Sequence, residues 1–402
     1  MESEINLGPG IGRTPLPLGF TTSGINSGVR KYRPDLGLIY SEMPTNTVGV
    51  FTKNNLKAAP ILYCQSLLPS NSIRAIITNS GQANAATGKV GELNNKKMVN
   101  EIAKEIGCLP EQILTASTGV IGQHLSIDKI TAGIPELFFR RNDSAEAFAL
   151  AILTTDLVPK TVSAELNLSG GKVRITGICK GSGMIHPNMG TMLGYILTDA
   201  EIPLEIGQTL LQKATDVSFN MISVDGDCST NDCVFLMANG SSKVKLLTSE
   251  DHALFEKLTI LVMQKLAKAI ARDGEGATKL IEVQIEGAPE IQLAKKAARS
   301  ITLSPLVKTA LHGEDPNWGR IVARLGAEDL PLKCIEQMMV KIQDTLVFQN
   351  GLPAEFDRTS LKEKLRKDTI KIDVNFFSGK ISTTAWGCDL SKKYVEINTE
   401  YS

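Results

Sequence analysis

The 402-residue chain predicts an α+β fold in which paired strands build two sheets and helices cover the outer faces. Two observations lead there. Eight short runs rich in Val, Ile, Leu and aromatic residues, at positions 36–40, 47–51, 75–78, 173–178, 192–197, 233–237, 281–285 and 369–374, read as strands. Several are apolar at successive positions, as in a strand buried on both sides. Three longer segments carry helical punctuation. Residues 93–106 place Met98, Ile102 and Ile106 on one face and stop at Gly107, ahead of Pro110. A second helix opens at Asp143 with Glu146 three residues on, a variant of the capping box, and carries Phe148, Leu150 and Ile152. The longest starts near Ser249, steps through Leu254, Leu258, Leu261 and Lys265, and ends at Asp273-Gly274. After the strand at 281–285 the pattern begins afresh with a helix over 291–300, a turn and a strand. Residues 1–280 therefore read as the core domain and 281–402 as a smaller α/β lobe.

Composition excludes more than it assigns. The 43 Lys and Arg equal the 43 Asp and Glu, so no net field favours nucleic acid or an anionic membrane. Small polar molecules and copies of the chain itself are the expected partners. The N-terminal stretch Met1-Glu-Ser-Glu-Ile-Asn-Leu-Gly-Pro-Gly-Ile-Gly12 lacks the basic and apolar regions of a secretory signal, and no run reaches the ~18 apolar residues that span a bilayer, which predicts a cytoplasmic protein. Seven scattered cysteines, without a C-x-x-C pair, predict reduced thiols, and four histidines isolated from one another predict no zinc site. Gly170-Gly-Lys172 lacks the Ser or Thr of a P-loop, and Asp225-Gly-Asp-Cys-Ser-Thr230 has threonine where a calcium loop needs glycine.

The chemistry gathers in Lys180-Gly-Ser-Gly-Met-Ile-His-Pro-Asn-Met-Gly190-Thr191, a glycine-rich loop with one lysine that runs into an apolar strand. A threonine opening a strand after a glycine turn is common, and spacing alone assigns it no chemistry. If the Gly190–Thr191 bond is cut, however, Thr191 carries both a hydroxyl nucleophile and an α-amine able to serve as its base, with an ordinary pKa of about 7.7–8.0. Glycine before the threonine leaves the attacked carbonyl open and tolerates strained backbone angles.

With Asn79-Ser-Gly-Gln-Ala-Asn84, Ala116-Ser-Thr-Gly-Val-Ile-Gly122, Thr154-Thr-Asp156, Val224-Asp-Gly-Asp-Cys-Ser-Thr-Asn-Asp232, Asp273-Gly-Glu-Gly-Ala-Thr-Lys279, Gly313-Glu-Asp-Pro-Asn-Trp-Gly-Arg320 and Ala385-Trp-Gly-Cys-Asp389, this loop resembles the ornithine acetyltransferase (ArgJ) family along nearly the whole chain. The family pattern around the cut is KGSGMI-x-PNM-A-TML; here Gly190 replaces the alanine and His186 fills the variable position.

The resemblance implies an αββα sandwich and self-cleavage into residues 1–190 and 191–402, which stay together as an (αβ)2 heterotetramer. It implies acetyl transfer from N2-acetyl-L-ornithine to L-glutamate through an acetyl ester on Thr191, without a cofactor, acetyl-CoA being an additional co-substrate if the enzyme is bifunctional. Thr118 and Gly119 match the oxyanion hole, and Lys180, Glu275, Thr155, Asn398, Thr191 and Ser402 match substrate-binding positions. On the residues alone, Thr118-Gly119 reads as a tight turn, Lys180 as a solvated lysine and Glu275 as a loop carboxylate; Thr154 stays open beside Thr155. The family ends in a hydroxyl residue five past its asparagine, whereas Ser402 stands four past Asn398, which bears on substrate preference. Two other readings stand: an N-terminal-threonine amidase or aminopeptidase, marked by hydrolysis outrunning transfer, and an uncut amino-acid sensor.

Overall fold

The computed structural model describes residues 5–7, 13–186 and 192–400. It is α+β as expected, with two mixed sheets and flanking helices. The chain forms two compact units, the first of residues 1–181, 187–220 and 227–266, the second of 182–186, 221–226 and 267–402.

The first unit holds a nine-stranded sheet, in the order Ile5–Leu7, Lys160–Leu168, Gly171–Lys180, Leu193–Thr198, Cys233–Ala238, Leu36–Phe51, Ser70–Gln82 and Ile113–Val120, with Phe20–Ile25 added to the long strand. Two of its pairings are parallel, Leu193–Thr198 with Cys233–Ala238 and Ser70–Gln82 with Ile113–Val120. The runs at 36–40 and 47–51 prove to be one strand, whose pairing shifts register between Tyr40 and Thr45. Alternation then sorts the core. Leu38, Ile77 and Ile113 pack with Met98, Ile102, Ile130 and Ile134 of the helices Gly88–Ile106 and Ile127–Phe139. Their neighbours Ile39, Ile76 and Leu114 pack with Ile61 and Cys64 of helix Ala59–Leu67 and with Phe148, Tyr195 and Phe235. A strand side chain points to one face or the other with period two, so a central strand buried on both faces must be apolar at every position, which is why these runs lacked a polar stripe.

One helix start and one buried stripe differ from the sequence reading. The helix expected at Asp143 is only Glu146–Ala151, because Asp143 pairs with Arg13 at 3.1 Å while the Glu146 carboxylate takes the Ser144 hydroxyl and the Thr14 N–H. In the long helix Ser249–Arg272 the buried stripe is Phe255, Leu258, Val262, Leu266 and Ile270, offset from the expected Leu254, Leu261 and Lys265. No helix among the described residues is long and apolar enough to cross a membrane.

The second unit holds a seven-stranded sheet in the order Leu352–Pro353, Thr345–Gln349, Met339–Ile342, Thr369–Asn375, Leu280–Ala288, Ile381–Cys388 and Ile222–Ser223, with helix Ile291–Leu303 against its central strands. This unit takes in more than the lobe expected after residue 280. Ile222 and Ser223 pair with Trp386 and Gly387, and the Asp225 carboxylate accepts the Met184 and Ile185 N–H groups at 2.6 and 2.8 Å, so two short segments from earlier in the chain are hydrogen-bonded into it.

Candidate active site

Of the residues singled out from the sequence, Gly190, Thr191 and Ser402 lie outside the described residues. The others fall into two groups, one in each unit.

In the first unit, Thr118 and Gly119 lie at the end of strand Ile113–Val120, paired in parallel with Ser80 and Gly81. They are strand residues and not the tight turn that the residues alone suggested. Gly119 has φ +129°, and a Cβ built there would stand 2.2 Å from the Gly81 carbonyl carbon. Only glycine lets the two backbones approach so closely. Two amides hold this strand end: Asn231 Nδ2 donates to the Ser117 and Ala83 carbonyls at 2.9 and 2.6 Å, and the Ser117 hydroxyl donates to Asn79 Oδ1 at 2.6 Å.

Lys180, the last residue of its strand, is buried and not solvated. Its Nζ donates to Thr154 Oγ1 at 2.8 Å and, at a longer 3.4 Å, to Thr118 Oγ1, and lies 3.8 Å from Asp156 Oδ2. An ammonium group has no lone pair, so both hydroxyls must accept from it, and each keeps its own hydrogen for another acceptor. Thr118 is thereby prepared as a donor. It is Thr154, and not Thr155, whose hydroxyl meets Lys180; Thr155 is half-buried beside it.

Asp156 anchors the group. It is 0% exposed, takes Lys160 Nζ at 2.8 Å and the Gly181 N–H at 2.7 Å, and Lys160 is itself 1% exposed. Burial alone would raise its pKa, but Lys180 and Lys160 together outweigh that and hold the carboxyl well below the usual range. A depressed folded pKa means that the stabilisation is complete above the unfolded value of about 3.9 and is lost as pH falls through the folded one. Replacing Asp156 with Ala strips two buried lysines of their carboxylate and should destabilise the protein by roughly 3–5 kcal/mol. Urea unfolding at neutral pH checks this; a loss under about 1 kcal/mol would mean that the lysines are relieved by water.

In the second unit, Glu275 is 8% exposed and accepts Asn398 Nδ2 at 2.8 Å. The loop Ser182–His186 seats it: the Ser182 hydroxyl donates to the Asp273 carbonyl at 2.7 Å, and a Cβ on Gly183 would stand 2.2 Å from Glu275 Oε1. Among the described residues Glu275 is thus a buried carboxylate that accepts from a neutral amide, suited to a cation. His186 is not a base here. Arg299 donates to its Nε2 at 2.8 Å, which leaves the Nδ1 hydrogen for Ser223 Oγ at 3.0 Å, and burial together with Arg299 pushes its pKa down to about 4.

Sequence reasoning quoted Asp156, Asn231 and Asp232 within motifs without giving them roles, and did not single out Lys160. The local pattern does not mark them: Asp156 follows Thr154-Thr155, and Asn231-Asp232 follow Ser229-Thr230.

A buried lysine that directs a threonine hydroxyl, next to a glycine that admits close backbone approach, can hold a developing oxyanion, the need of an acyl-transfer enzyme. The comparisons agree in class and go further. The chain belongs to the ArgJ family, whose model matches residues 21–402. It is 46% identical over 401 residues to "Arginine biosynthesis bifunctional protein ArgJ 1" of Nostoc sp., with 96% of this chain and 97% of the relative covered. It is 45% identical over 389 residues to the protein named "Arginine biosynthesis bifunctional protein ArgJ" in Lactococcus lactis, covering 96% and 97%. Among solved structures, the arginine biosynthesis bifunctional protein of Bacillus halodurans matches at 43% identity with a TM-score of 0.51, covering 52% of this chain and 100% of that one.

Proposed function

We propose that this chain is an arginine-biosynthesis acetyltransferase that carries acetyl from N2-acetyl-L-ornithine to L-glutamate in a ping-pong cycle. The observation that carries this reading is the full-length likeness to relatives named for arginine biosynthesis. In the first step the Thr191 hydroxyl attacks the Gly190 carbonyl, the peptide bond gives way to an ester and frees the α-amine, and water then hydrolyses the ester to leave residues 1–190 and 191–402. The Bacillus halodurans chain, matched over all of its length yet covering 52% of this one, has the size expected of one such piece.

In each cycle the neutral α-amine takes the Thr191 hydroxyl proton, the oxygen attacks the acetyl carbonyl, and the Thr118 hydroxyl with the Gly119 N–H holds the oxyanion. Ornithine leaves, glutamate enters, and its amine collects the acetyl group. Lys180 fits a substrate carboxylate, Glu275 with Asn398 fits a substrate cation, and Thr155 and Ser402 complete the binding set implied by the family pattern. No cofactor is required. The word "bifunctional" in both relatives' names favours a second acetyl source as well, for which acetyl-CoA is the candidate; thiol release in the presence of glutamate tests it. The two pieces working as an (αβ)2 assembly in the cytoplasm complete the proposal.

Because only the neutral amine accepts a proton, kcat/KM should rise with pH through a single ionisation, near 7–8 for an amine of ordinary pKa. Initial rates across pH 5–10 read it. A flat profile would remove the amine from the mechanism.

A further inference from the structure

Asp232 immediately precedes the strand Cys233–Ala238 and is 4% exposed. That strand runs parallel to Leu193–Thr198 with Cys233 opposite Leu193, and the Cys233 N–H donates to the Met192 carbonyl at 3.2 Å, so Asp232 stands beside Met192. Its carboxylate accepts from the Met192 N–H and the Ser229 hydroxyl. Its second oxygen, Oδ2, has no hydrogen-bond partner among the described residues. Leaving a buried acceptor unsatisfied costs about 1–3 kcal/mol, and more if it is charged, so such an oxygen marks a place where a donor belongs.

Covalent geometry supplies the donor. Met192 N is bonded to the carbonyl carbon of Thr191, and bond lengths of 1.33, 1.52 and 1.46 Å keep the Thr191 nitrogen within ~2.7–3.6 Å of Met192 N at any backbone angle. The amine freed by a cut before Thr191 therefore arises about two hydrogen-bond lengths from a carboxylate that already binds the Met192 N–H.

We propose that Asp232 holds the α-amine of Thr191 after cleavage, Oδ2 accepting a hydrogen bond from it and turning it toward its own hydroxyl. This rests on the cut and on the amine as base, as read under Proposed function. The charged and titratable groups facing Asp232 are Lys180, from strand Gly171–Lys180, and the Cys233 thiol on its own strand; Lys180 is shared with Asp156. Burial pushes the Asp232 carboxyl well above its ordinary value in spite of Lys180. The freed amine is the stronger base, so a proton shared by the two groups rests on it, an ammonium beside a carboxylate. A neighbouring anion favours the charged amine and raises its ionisation.

The test is Asp232→Asn beside Asp232→Glu, each checked for cleavage by intact mass, with kcat/KM for N2-acetyl-L-ornithine and L-glutamate followed against pH. In the fully cut Asp232→Asn enzyme the acid limb should move down by about 1–3 pH units, whereas Asp232→Glu, which keeps the charge, should stay near the native profile. A cut Asp232→Asn enzyme with an unmoved limb overturns the proposal. If that variant stays whole, a crystal structure of the cut native enzyme decides: Thr191 N within ~3.2 Å of Asp232 Oδ2 supports it, and a separation beyond hydrogen-bond range overturns it. A native chain that is never cut overturns the reading under Proposed function instead.

Discussion

Thr191→Ala is expected to leave the chain in one piece and to lower acetyl transfer by roughly 10⁴–10⁶-fold, the scale on which loss of an activated nucleophile is felt. Both effects have one origin. The alanine has no oxygen to attack the Gly190 carbonyl, so no α-amine is freed, and a chain without that amine lacks base and nucleophile together. Denaturing electrophoresis with intact mass reads the first effect, and ornithine release from N2-acetyl-L-ornithine reads the second. Cleavage that persists in the alanine variant, or a new N-terminus other than Thr191 in the native protein, would assign the cut to another agent.

Thr118→Ala should lower kcat by about 10²–10³-fold with KM little changed, as for loss of one oxyanion donor. The reason lies in the direction of one hydrogen bond: Lys180 Nζ must donate to Thr118 Oγ1, so the threonine hydrogen is kept for an acceptor that appears only when charge develops. Lys180 would remain held by Thr154 and Asp156, so the fold around it should persist. The measurement belongs on the fully cut fraction, because the same donors can serve the self-cleavage step. A cut Thr118→Ala enzyme with near-normal kcat and a raised KM would make Thr118 a binding or packing residue.

Much of this molecule was legible before folding. Apolar runs of strand length marked the sheets because a strand covered on both sides has no solvent face to betray its register, and length and punctuation alone sufficed there. Gly107 ended its helix as read, taking φ +75° at the cap. Less legible were features that depend on a partner far along the chain. The capping box at Asp143 failed because the Thr14 N–H, 132 residues away, and the Ser144 hydroxyl claimed the Glu146 carboxylate. The stripe on helix Ser249–Arg272 was misplaced because its buried face is chosen by what covers it, and Phe255 and Val262 proved the better fillers.

The same division runs through the candidate site. By itself the sequence determined which residue types are present and in what local order: the glycine loop leading to Thr191, the Thr118-Gly119 pair, the Thr-Thr-Asp run, and a lysine alone among glycines. Tertiary structure decided what each can do. It brought Lys180 to Thr118 across 62 positions, set the Thr154 hydroxyl against Lys180, buried Asp156 between two lysines, and left one oxygen of Asp232, beside Met192, without a partner among the described residues. Backbone propensity acts over a few residues, whereas burial and charge pairing depend on neighbours that only the pairing of distant strands assembles, and it is these that set a proton's place and a donor's direction.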